Sequence, residues 1–158
     1  MSATPILAVT NDESLLGLIR STVRDQFGQK GRIVVAPSVA EACPLLKTAR
    51  PRLIVVHVTG DAAGQYEQLD ELLWATSVVS RPTPVVVIAE RYRIDQATKM
   101  YRMGVSEYIS RKHHLDQLAE VLGAYLHPVT LPAADADGSA KGWRSANRAS
   151  ASVTSQVV

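Results

Sequence analysis

Short apolar runs alternate with helical stripes along the chain as far as about residue 126. Ile6 to Val9 is an apolar run of strand length, and the stretch after it places Leu15, Leu16, Ile19 and Val23 on one helical face. Asn11, Asp12 and Ser14 lie at the junction, where short polar side chains cap exposed amides, so a helix over about 13–27 is expected. Gly28 and Gly31 should stop it. Arg32 to Ala36 forms a second β-branched run, and Ser38 is placed to cap a helix over 39–49, with Pro44 uncomfortably deep inside it. Leu53 to Val58 is almost wholly apolar, the signature of a central parallel strand covered on both faces. After a loop at Gly60, Asp61 and Gly64, a stripe of Leu69, Leu72, Leu73 and Val78 predicts a helix ending near Ser80. Val85 to Ala89 is a fourth strand, 93–103 a helix stopped by Gly104, and Glu107 to Ser110 a short fifth strand. Leu115, Leu118, Leu122 and Tyr125 or Leu126 line a last helix.

Five strands and five helices in strict alternation predict one parallel sheet between helical layers, with right-handed crossovers: a three-layer α/β domain over 1–126. From 127 to 158 the composition shifts to Ala, Ser, Asp, Gly and Asn with no aliphatic periodicity, and a disordered tail or linker is expected. Lys141, Trp143, Arg144 and Arg148 there could touch nucleic acid or a partner groove, but with so few basic residues a solvated linker is favoured. Seventeen basic against 15 acidic side chains likewise argue for neither a nucleic-acid nor an anionic-membrane surface. A single cysteine, Cys43, excludes an internal disulfide and a zinc–thiolate cluster. With no signal-like opening and no apolar stretch long enough to span a bilayer, a soluble, cytoplasmic protein is expected.

Ligands of open α/β sheets bind at the carboxyl ends of the strands. Here those ends carry Thr10, Asn11 and Asp12, then His57, then Ala89 and Glu90, then Ser110, Arg111 and Lys112. The first strand is not followed by a glycine-rich turn, and neither a dinucleotide fingerprint nor a phosphate-binding loop occurs.

The segments ILAVTNDES, PRLIVVHV, TPVVVIAE and YRMGVSEYISRK together resemble the receiver domain of bacterial two-component response regulators, over residues 5 to about 126. The resemblance implies a flavodoxin-like, doubly wound sheet of five parallel strands with five helices. It also implies a phosphorylation pocket, and there this chain departs from the pattern. His57 stands where the resemblance places the phosphate-accepting aspartate. Thr10 and Asn11 stand at the acidic pair, or Asn11 and Asp12 after a one-residue shift. Ala89 replaces a hydroxyl residue, Arg111 replaces a lysine, and Tyr108 matches the aromatic switch position.

Aspartyl phosphorylation needs a carboxylate nucleophile and a magnesium ion held by oxygen ligands. One carboxylate and an imidazole do not supply them, so an inactive pocket with no metal, no cofactor and no catalytic residue is expected. For His57 a locally hydrogen-bonded structural role is favoured over phosphotransfer or pH sensing. Asp12 and Arg111 form an ion pair across the pocket, or else Asp12 caps the first helix and Arg111 lies solvated; the sequence leaves both open. His113 and His114 are expected to start the last helix, His127 to favour its dipole, Cys43 to lie in the core and Trp74 to pack on the third helix. Ile94, Met100, Tyr101 and Met103 exceed what one buried face requires. By resemblance, the fourth helix, fifth strand and fifth helix form an output or dimer surface.

The function expected is a phosphorylation-independent receiver that signals through a protein partner or as a homodimer, with transcription regulation implied by resemblance alone. The alternatives are a conventional phosphoaccepting regulator and a small flavodoxin-like enzyme or cofactor binder.

Overall fold

A computed structural model describes residues 4–59, 63–78 and 82–126. The expectations for 127–158, His127 included, lie outside the described residues. The strands are β1 (Thr4–Val9), β2 (Gly31–Ala36), β3 (Leu53–Val58), β4 (Val85–Ala89) and β5 (Glu107–Ser110). The helices are α1 (Glu13–Phe27), α2 (Val39–Ala49), α3 (Ala63–Ser77), α4 (Ile94–Met103) and α5 (Leu118–Leu126). All strand pairs are parallel, in the order β2-β1-β3-β4-β5, so β3, apolar but for His57, is central, as expected of a strand buried on both faces.

Side chains alternate across the sheet and build two cores. One face carries Ile6, Leu53, Val55, Val86, Ile88 and Ile109 against Leu15, Ile19 and Val23 of α1 and Leu118, Leu122 and Leu126 of α5. The other carries Leu7, Val9, Ile54, Val56, Val85 and Val87 against α2, α3 and α4.

Local details depart from the sequence reading in three places, at Gly31, Trp74 and His114. Gly28 alone ends α1, in the left-handed region at φ 60°, while Gly31 opens β2. Gly31 is glycine because a Cβ there would collide with the Val23 side chain. Helix α2 has the expected bounds and Ser38 cap, runs through Pro44 and ends on left-handed Arg50. Trp74, expected to pack, is 70% exposed. A 3₁₀ turn over Leu115–Gln117 precedes α5; His114, at its N-terminus, makes no side-chain cap bond and instead accepts on Nδ1 from the Ser110 N–H at 3.2 Å.

Candidate functional site

The period of two along each strand decides what reaches the carboxyl edge. The row Ile6, Ala8 continues to Thr10; Leu53, Val55 to His57; Val86, Ile88 to Glu90; and Ile109 to Arg111, all on the α1/α5 side. Register aligns them, since Val9 pairs with Val56 and Ala89 with Ser110, so that Thr10 lies beside His57 and Glu90 beside Arg111. Ala89 and Tyr108 have the opposite parity and lie in the α2/α3/α4 core. The expected grouping of Ala89 with the pocket side chains is thereby corrected. Its backbone still contributes, the carbonyl accepting from the Arg111 N–H at 2.7 Å.

A continuous hydrogen-bonded chain joins the remaining residues. Thr10 Oγ1 accepts from the Asp12 N–H at 3.0 Å and lies 3.2 Å from His57 Nδ1. His57 Nε2 is 2.7 Å from Glu90 Oε1. The carboxylate only accepts, so Nε2 carries a proton toward it, while the Thr10 hydroxyl can serve Nδ1 as donor or acceptor. The His57 side chain is 2% exposed and Glu90 46%, which places the imidazole inside and the carboxylate at the rim. Arg111 closes the circuit by donating to Asp12 Oδ2 at 2.6 Å and to Glu90 Oε1 at 3.4 Å. Asn11 is exposed and lines a neighbouring depression of about 190 Å³ with Thr10, His57, Thr59 and Gln65.

Asp12 performs both roles that the sequence leaves open. Its Oδ1 accepts from the Leu15 N–H at 3.0 Å, capping α1, while Oδ2 holds Arg111. The Arg111 hydrogen bond, followed by that of Leu15, lowers its carboxyl from 3.8 to about 2. The same bond raises the Arg111 guanidinium above its ordinary value. Glu90 is the residue that sequence reasoning named at a strand end and gave no role. Its parity with Val86 and Ile88 was the available signal.

The expected surface residues divide. Ile94 is 74% and Tyr101 46% exposed, whereas Met100 is buried under α4 and Tyr108 is buried with its hydroxyl 3.3 Å from the Arg91 carbonyl. Met100 is therefore corrected from a surface to a core residue. Burial raises the phenol of Tyr108 and that of Tyr101. At the outer edge of β5, the Tyr101 hydroxyl accepts from the Tyr108 N–H at 3.2 Å, and His114 holds the Ser110 N–H. Side chains thus occupy donors that would otherwise invite another strand. Cys43 is partly buried against the larger core, and burial raises its thiol.

No protein-family model and no curated protein sequence matches the chain. Among solved structures, it is similar to the phosphorylated cyanobacterial phytochrome response regulator RcpA at a TM-score of 0.64 and 22% identity, covering 84% of this chain and 100% of that one. A response regulator from Thermotoga maritima matches with a TM-score of 0.64 and 17% identity, over 80% and 98% of the two chains. The pilus assembly protein CpaE from Caulobacter crescentus matches with a TM-score of 0.61 and 23% identity, over 78% and 94%. Among the described residues no helix is long and apolar enough to cross a membrane. Five parallel strands, five helices and these likenesses together give the chain the receiver-domain fold of response regulators.

Proposed function

We propose that this chain is an atypical receiver that signals by protein contact, as a homodimer or docked on another regulator, without aspartyl phosphorylation. The observation that carries the reading is His57: a buried imidazole, bonded at both nitrogens, at the end of β3 where the resemblance calls for an accepting carboxylate. A phosphoryl group bound through oxygen needs a carboxylate there and a magnesium ion beside it. The residues present do not fit that ion. Magnesium prefers an octahedral shell of oxygen ligands, whereas this pocket offers an imidazole and two carboxylates, those of Asp12 and Glu90, both already engaged by the Arg111 guanidinium. The Arg111 charge stands between Asp12 and Glu90, so the pocket is charge-paired without a bound phosphate.

The contact surface of this reading is α4, β5 and α5. Ile94 and Tyr101, seven residues apart, share an exposed face of α4, with Tyr92 beside it at 43% exposure. Because Tyr101 and His114 occupy the outer N–H groups of β5, a partner docks on side chains and does not add a strand. The module carries no catalytic residue and no cofactor in this reading.

Two measurements test it. Intact mass after incubation with acetyl phosphate and magnesium is expected to stay unchanged; a gain of one phosphoryl group on a pocket residue overturns the reading. Solution mass of the full chain, alone and after pulldown from its native lysate, is expected to show a dimer or a complex that Ile94→Asp weakens. An assembly unaffected by that change removes α4 from the surface.

A further inference from the structure

The geometry points to a site for a borderline divalent transition ion, zinc in particular, on Asp12, His57 and Glu90, with Arg111 as its built-in competitor. One donor atom from each of the three residues lies within 4.8 Å of the other two. They come from three separate stretches, the start of α1 and the ends of β3 and β4, so the sheet fixes their spacing. Zinc bonds of about 2.0–2.2 Å in a tetrahedron set ligand atoms roughly 3.4 Å apart. His57 Nε2 and Glu90 Oε1 are already closer than that, at 2.7 Å, and part slightly as an ion enters. Glu90 is the most exposed of the three side chains and so has the most freedom to adjust to the ion.

One imidazole and two carboxylates form a donor set suited to zinc and its neighbours and ill suited to magnesium. The surroundings meet the further requirement that a ligating histidine be held through its other nitrogen. Thr10 does this at Nδ1, and its hydroxyl serves either tautomer. When the ion takes the Nε2 lone pair, the Nε2 proton leaves for solvent and the ring carries its proton on Nδ1, donating to the hydroxyl oxygen. Arg111 shows that the spot between Asp12 and Glu90 attracts positive charge, at 2.6 and 3.4 Å. With its side chain 24% exposed, it has a path outward when a divalent ion replaces it. The proposal rests on the reading of this pocket as closed to phosphorylation. Phosphoryl uptake would remove that reading, whereas failure to bind zinc removes only this one.

The test is calorimetric titration of the purified full chain with zinc, and with cobalt read by visible absorption. One equivalent is expected to bind, with tetrahedral cobalt bands, and millimolar magnesium is expected not to compete. Glu90→Gln and His57→Gln each remove a ligand and should weaken zinc by at least the roughly 10–100-fold that loss of an outer-shell partner brings; Thr10→Val should fall within that range. Arg111→Gln should tighten it, a direction that no stray surface imidazole predicts. Glu90 lies at the rim, so its variant keeps the fold even if His57→Gln does not. Equal zinc affinity in wild type and Glu90→Gln, no loss of affinity on Arg111→Gln repair to wild type, or no binding at all overturns the site.

Discussion

Arg111→Gln removes the guanidinium that bridges Asp12 and Glu90 and leaves the rest of the chain of hydrogen bonds in place. The structure sets the size of the effect through the Asp12 carboxyl. In the native protein this group is lowered from 3.8 to about 2, chiefly by the Arg111 hydrogen bond and next by that of the Leu15 N–H, with burial opposing both and the charge of Arg111 adding to them. The substitution deletes the largest lowering cause and the Coulombic one together. The helix cap at 3.0 Å survives, so the carboxyl of the variant should titrate below 3.8 but nearer to 3.8 than to 2. The sign for stability follows from linkage. A carboxyl lowered on folding supports the native state above 3.8, and that support fades as pH falls toward about 2. The window should narrow toward 3.8 in the variant, so its acid unfolding curve should flatten over this range. Carbon-detected NMR of the Asp12 side chain reports the titration directly, and unfolding monitored by circular dichroism reports the linkage. High salt should raise the native Asp12 value as well, because the pair is partly exposed and the Debye length falls to about 3 Å at 1 M. A variant whose Asp12 still titrates near 2 would refute the argument: the cap alone would then hold the carboxylate, and Arg111 would be a bystander.

Leu122→Ala empties a fully buried position between α5 and the sheet and should cost about 3–5 kcal/mol in chemical denaturation, with little change expected if α5 merely rests on the surface. Two glycines separate crowding from conformational freedom. Gly31→Ala drives a methyl into Val23 and should cost about 1–3 kcal/mol, whereas Gly17→Ala, in an open position on α1, should stabilise by roughly 0.5–1 kcal/mol; thermal unfolding of both decides.

The layers and order of elements were legible in the sequence because each depends on a local period. The apolar run Leu53 to Val58 identified a strand buried on both faces, and the stripe Leu15, Ile19, Val23 identified the buried side of α1. Gly31 was misread as a helix stop because the crowding by Val23 comes from an element eight positions earlier, which no turn rule contains. Trp74 and Met100 exchanged expected places for a similar reason: a helical stripe gives the width of the apolar face but not which edge the sheet covers.

The sequence by itself determined which side chains lie at the carboxyl ends of the strands and that their donors differ from an oxygen-only set. Only the tertiary structure decided their grouping. Parity alone puts Thr10, His57, Glu90 and Arg111 on one face and Ala89 on the other, but parity becomes proximity only when the register Val9–Val56 and Ala89–Ser110 is fixed, and register is set by burial of whole strands. The bond from Asp12 to Arg111 spans 99 residues of sequence, and its existence follows from β1 and β5 ending at the same edge of the sheet.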